Sequence, residues 1–88
     1  MKIVLHPHFK KAYKKRIAPQ DKLVSQTRER IAQFQENPHD PIVKDHALSG
    51  AKEGFRAFSV TGDIRIVYLP LQEDEVVFVD IGSHNQVY

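Results

Sequence analysis

The chain has 88 residues, 41% of them hydrophobic, and a formal net charge of +2, a size that holds one domain over residues 1–88 with a single core. It has no cysteine, which excludes disulfide frameworks, thiolate nucleophiles and cysteine-ligated zinc. No run approaches the roughly 20 apolar residues of a membrane span, and the apolar stretch before His6-Pro7-His8 is too short for a signal peptide, so a soluble, cytoplasmic protein without membrane association is expected.

Lys2 to Leu5 reads as a short β-branched strand, in the middle of a sheet or at its edge. Pro7 suits the first turn of a helix, where its missing N–H costs nothing. Phe9, Ala12 and Tyr13 at i, i+3, i+4 spacing carry that helix to Arg16, with Lys10, Lys11, Lys14 and Lys15 largely outward. Ala18-Pro19 breaks it. A second helix over residues 19–36 has an apolar stripe of Leu23, Thr27, Ile31 and Phe34, flanked by Val24 and Arg30, and stops at Asn37-Pro38.

Residues 37–53 form a connection longer than most loops of a compact domain, expected to be pinned by Ile42, Val43 and Leu48. Strands over residues 55–60 and 64–69 then flank a tight turn at Thr61-Gly62-Asp63, with Gly62 expected at positive φ. Alternation puts Arg65 on one face with Val67, and Ile64, Ile66 and Tyr68 on the other. A turn over residues 70–74, a last strand over 75–81 and a turn at Gly82-Ser83-His84 complete the order βααβββ. The predicted fold class is α+β: a small antiparallel sheet whose last three strands form a meander, with two N-terminal helices packed on one face.

Charge divides unevenly. Residues 1–50 hold ten Lys/Arg against five Asp/Glu, a net of +5, and residues 51–88 hold three against six, a net of −3. The basic half suits a polyanion such as nucleic acid, and it equally suits a solvated lysine-rich helix surface.

Of five histidines, His6 and His8 flank a proline that breaks strand geometry, and no carboxylate lies close in sequence, so no metal site and no cofactor are expected. His39 sits in a Pro-flanked loop and is expected in solvent. His46 precedes Leu48-Ser49-Gly50, and His84 follows Gly82-Ser83 at the end of the last strand. Two imidazoles beside a fixed guanidinium suit RNA cleavage without a metal: one takes the 2′-OH proton, the other protonates the leaving 5′-oxygen, and Arg65 stabilises charge on phosphorus. Tyr88 is a candidate to stack on a base or orient the phosphate, and Asp63 to hold a histidine. Each also has a structural reading: His84 caps a turn, and Arg65 pairs with Asp80 on the neighbouring strand.

The blocks Asp45-His46-Ala47-Leu48-Ser49-Gly50, Gly54-Phe55-Arg56, Gly62-Asp63-Ile64-Arg65-Ile66-Val67-Tyr68 and Asp80-Ile81-Gly82-Ser83-His84-Asn85-Gln86-Val87-Tyr88 resemble, in order and over nearly the whole chain, the RelE/ParE superfamily of bacterial type II toxins. The nearest resemblance is to YafQ-like and RelE/StbE-type mRNA interferases. It implies a RelE-like fold with a catalytic groove on the sheet face opposite the helices. It implies a ribosome-dependent mRNA endoribonuclease acting by metal-independent 2′-OH attack, and a cognate antitoxin as partner beside mRNA and the ribosome. By motif it assigns catalysis to His46, Asp63, Arg65, His84 and Tyr88. Lys10, Lys11, Lys14, Lys15 and Arg56 are then candidate RNA contacts, Arg56 with a structural role as the other option.

Ser59, Ile64 and Asp80 stand where the YafQ-like pattern has histidine, tryptophan and arginine. Asp80 is expected to neutralise Arg65 and so to weaken phosphate binding and activity. Two other functions stay open: a ParE-like toxin that binds gyrase, and a degenerate toxin that only binds an antitoxin.

Overall fold

In a computed structural model describing residues 1–88, the first strand, β1 (Lys2–Leu5), is followed by helices α1 (Pro7–Arg16) and α2 (Asp21–Glu36). A two-residue strand, β2 (His46–Ala47), and a 3-10 turn at Gly50–Lys52 lie inside the long connection. Strands β3 (Arg56–Ser59), β4 (Ile64–Gln72) and β5 (Glu75–Ser83) form the meander, and a single helical turn, α3 (His84–Val87), ends the chain. The sheet order is β1-β5-β4-β3-β2.

The α+β class and the two-helix layer are as the sequence predicts, with three refinements to the sheet. β1 is at the edge and runs parallel to β5, while every other pairing is antiparallel. The predicted loop contributes the fifth strand, β2. β4 continues through Pro70, predicted to turn, because β3 pairs with β4 only as far as Tyr68. Past that point one edge of β4 is free and a proline has no ladder bond to lose.

His6 caps α1: its Nδ1 accepts the His8 N–H at 3.0 Å. The stripes of both helices close over the sheet. Phe34 of α2 stacks on Phe58 of β3 with ring centroids 4.3 Å apart, and Phe9, Ile66, Tyr68, Phe78 and Ile81 complete the main core. Arg30 is part of this layer's framework. Its guanidinium donates to the Ser59 carbonyl at 2.7 Å and the Ile42 carbonyl at 3.0 Å, tying α2 to the loop and to the end of β3.

The opposite face is partly covered. Ala57, Val67 and Val87 form a second small core there, with Leu48, Phe55 and Val79 packed around it. The predicted side-chain division of β4 holds: Ile64, Ile66 and Tyr68 belong to the helix-side core, and Val67 to the other.

The turn after β3 differs from expectation. Positive φ occurs at Gly50, Gly54 and Lys44, and not at Gly62. The Thr61 hydroxyl instead accepts the Asp63 and Ile64 N–H groups, at 3.2 and 3.0 Å, so a side chain closes the turn that a left-handed glycine was expected to close.

Candidate active site

Register decides which polar side chains meet. Residues directly opposite in an antiparallel pair share a face. His46 lies opposite Ala57, Ala57 opposite Val67, and Ser59 opposite Arg65. His46, Ser59 and Arg65 therefore share the face that carries the second core, away from the helices. α3 brings the rest. Val87 is buried against that core, while His84 and Tyr88, one turn apart, meet edge to face with centroids 4.6 Å apart.

The result is an open cavity of about 280 Å³ lined by Lys44, His46, Ser59, Arg65, His84 and Tyr88. It contains two cations, two imidazoles, two hydroxyls and no acidic side chain.

Local bonds fix several of these groups. Arg65 Nη1 donates to Ser59 Oγ at 2.9 Å. His46 Nδ1 lies 3.0 Å from the Lys44 carbonyl. A carbonyl only accepts, so Nδ1 carries the hydrogen in either charge state, and Nε2 is the atom at which His46 gains or loses a proton. Burial raises the pKa of the Tyr88 phenol, partly offset by Arg65, so the hydroxyl stays protonated at neutral pH and can donate. At α3, Gln86 Oε1 accepts the Ser83 N–H at 2.7 Å. A Cβ at Gly82 would lie 2.6 Å from that oxygen and 2.9 Å from Arg16 Nη1, so a larger residue there would have to push both side-chain ends aside where the chain turns into His84.

The loop carrying His46 is held from both sides. Val43 is fully buried in the main core, and its carbonyl accepts the Ser59 N–H at 2.9 Å. Asp45 accepts Tyr68 Oη at 2.7 Å and pairs with Arg56 Nη2 at 3.1 Å. This cluster pushes the Tyr68 phenol well above its ordinary pKa, through burial first and the Asp45 carboxylate second, and also raises that of Arg56. Arg56 lies opposite Tyr68, on the helix side of the sheet and away from the cavity. Of the two roles the sequence left open for it, a structural one or an RNA contact, the pairing with Asp45 fits the structural one.

Other candidates also lie elsewhere. Asp63 is exposed and lines a separate hollow with Lys15, Arg16 and Gln20; it bonds neither histidine, because its turn carries it toward the end of α1. Lys10, Lys11, Lys14 and Lys15 are exposed on α1, outside the cavity.

The expected pairing of Asp80 with Arg65 does not form. β5 bulges where Val67 lies opposite Asp80 but Tyr68 lies opposite Phe78, leaving Val79 as the extra residue. β1 covers the edge of β5 only as far as Phe78. Beyond it, Asp80 Oδ1 accepts Arg16 Nη1 at 3.1 Å and the Ile81 N–H at 2.9 Å, and His8 Nε2 stands 3.4 Å away. Arg16 also donates to the Ile81 carbonyl at 3.0 Å, closing the open edge. Arg65 is left without a carboxylate partner. No signal in the sequence marked Lys44, and Ser59 stood out only as a departure from the resembled pattern.

A family model for the bacterial YafQ toxin of type II toxin-antitoxin systems matches residues 1–88. The chain belongs to the YafQ toxin family. Among solved structures it is similar to a copper-bound mutant toxin from Helicobacter pylori, with 30% identity over 100% of this chain and 99% of that one, and a TM-score of 0.72. It is similar in fold to the YafQ chain of the DinJ-YafQ complex of E. coli, at 21% identity over 99% and 97% of the two chains with a TM-score of 0.79. A YoeB/ParE toxin from Agrobacterium tumefaciens aligns at 20% identity over 96% and 99%, with a TM-score of 0.76. Comparison with curated protein sequences gave no match. Within the YafQ family framework this chain is a type II toxin with a RelE-like fold, and no helix in it is long and apolar enough to cross a membrane.

Proposed function

We propose that this YafQ-family toxin is an endoribonuclease that cuts mRNA in translating ribosomes. The observation that carries the reading is the makeup of the cavity: His46, His84, Arg65 and Tyr88 converge with Lys44 and Ser59, and no acidic side chain is among them. Such a site attracts an anion and presents two imidazoles to it, a residue type suited to moving protons.

The chemistry follows from the parts. The 2′-oxygen of the cut nucleotide attacks the adjacent phosphorus while one imidazole removes its proton. The bond from phosphorus to the 5′-oxygen breaks as the second imidazole protonates that oxygen, leaving a 2′,3′-cyclic phosphate and a 5′-hydroxyl. Charge builds on the phosphoryl oxygens in between, beside the Arg65 guanidinium, which Ser59 Oγ holds in place. The Tyr88 hydroxyl, protonated at cell pH, is a further donor to those oxygens. His46 exchanges its proton through Nε2. The exposed lysines of α1 give a screened, sequence-independent attraction to RNA. A cognate antitoxin, as in the DinJ-YafQ complex, is the partner expected to restrain the activity.

The test is inducible expression of the wild type and of His84→Ala in a bacterium without an antitoxin for this toxin, following growth and mapping mRNA 5′ ends. Growth arrest with new cuts inside translated frames, both lost in His84→Ala, is expected. Arrest with intact messages and damaged DNA would overturn the reading in favour of a gyrase-directed toxin.

A further inference from the structure

We infer that Lys44 is a substrate-binding residue of this site, its ammonium holding an RNA phosphate next to the one cut at Arg65. This rests on the nuclease reading above and adds to it a second cation that the sequence motifs do not mark.

Three observations converge on Lys44. First, its backbone is in the left-handed region, with φ of 55°, the only non-glycine residue so placed. A side chain there costs free energy that glycine or asparagine would largely avoid, and residues held in such conformations gather at functional sites. The turn itself has a clear structural purpose: it lets Val43 bury in the main core and Asp45 reach Arg56 and Tyr68 on either side. That purpose requires the backbone conformation but not a lysine. Second, Lys44 is exposed and lines the cavity with Arg65, His46 and His84. Third, it has no carboxylate partner: the acid next to it in sequence, Asp45, is committed to Arg56 and Tyr68. An unpaired ammonium lining a cavity without acidic side chains, set there at a conformational cost, suits a phosphodiester of the bound strand.

The same residue orients His46 through its carbonyl, so a test must separate side chain from backbone. Lys44→Gly and Lys44→Asn do so, since both residues tolerate the left-handed conformation and keep the carbonyl. The probe is a single-stranded RNA with 2′-O-methyl groups throughout, which cannot be cut, its binding followed by fluorescence anisotropy across a salt series. Cleavage of the unmodified strand is measured in parallel, and thermal unfolding reports folding.

The expected result is that both variants melt at or above the wild-type temperature, bind the probe about tenfold more weakly, and lose about 0.7 from the slope of log K against log salt, one phosphate contact on a single strand. Lys44→Arg should keep the slope. Wild-type affinity and slope in Lys44→Gly and Lys44→Asn would overturn the inference and leave the nuclease reading intact. A wild type that binds the probe without cutting unmodified RNA or translated message would overturn the nuclease reading while the slopes still decide Lys44. A wild type that binds no free RNA overturns the Lys44 inference, while the nuclease reading is then decided by the cuts mapped in translated message.

Discussion

Replacing Asp80 by arginine restores the residue type of the resembled pattern, and it should harm this protein rather than help it. In the structure Asp80 holds Arg16 and the Ile81 N–H at the open edge of β5 and does not touch Arg65. Asp80→Ala removes the acceptor from a buried backbone N–H, at about 1–3 kcal/mol, and leaves Arg16 with only the Ile81 carbonyl, at about 1 kcal/mol more. A loss of roughly 2–4 kcal/mol corresponds to a fall in Tm of about 10–30 °C for a domain of this size. Asp80→Arg should lose at least as much, because a second guanidinium would face Arg16 and His8 where one carboxylate now joins them. Circular dichroism melts and urea titrations of wild type, Asp80→Ala and Asp80→Arg give the stabilities, and cleavage is followed on the same preparations. An Asp80→Arg protein that melts within a degree or two of wild type and cuts faster would refute the reasoning. It would mean that Asp80 restrains Arg65 after all and that its contacts with Arg16 are incidental.

Gly82→Ala should loosen α3, since its Cβ would fall 2.6 Å from Gln86 Oε1, and should also disturb Arg16, whose Nη1 it would approach to 2.9 Å; cleavage is expected to drop at least tenfold with a fall in Tm smaller than that of Asp80→Ala, and faster amide exchange over residues 84–88 would locate the effect at α3. Asp45→Ala leaves the Tyr68 hydroxyl and Arg56 without their carboxylate and should cost about 2–3 kcal/mol in urea unfolding, with cleavage lost beyond what the stability change explains because the turn bearing His46 is freed. Tyr68 gives a pH signature. Its folded pKa lies above the ordinary 10.0, so the protonated phenol stabilises the fold fully below pH 10, and that contribution is lost as pH rises from there through the folded value. The urea midpoints of wild type and Tyr68→Phe should therefore converge by about 1 kcal/mol between pH 8 and roughly pH 11, and a constant gap would contradict the buried phenol.

Much of this arrangement was legible in the sequence because period and parity carry it. Alternation along a single strand places Arg65 on the face of Val67, and helical spacing places Phe9, Ala12 and Phe34 inward; both readings depend only on neighbours along the chain. Arg56 and Arg65 look alike at that level. What separates them is the register across the turn, which sets Ser59 opposite Arg65 and hence Arg56 opposite Tyr68, on the other face. That register depends on a hydroxyl-closed turn, where the sequence suggested a left-handed glycine.

Asp80 was misread for a related reason. A one-residue bulge at Val79 shifts the pairing beside it, and the strand that would have covered this edge stops at Phe78, so the carboxylate meets α1 instead of Arg65. Neither the bulge nor the length of β1 has a local sequence signature strong enough to read. The loop over residues 37–53 is the extreme case. It has no period, yet it supplies Lys44 and His46 to the cavity, held there by the bonds of Val43 to Ser59 and of Asp45 to Arg56 and by the pairing of His46 with Ala57. The motifs identify which residues gather on this face; long-range register decides which of them reach the cavity, and it leaves Arg65 free of a carboxylate, the condition that phosphate binding needs.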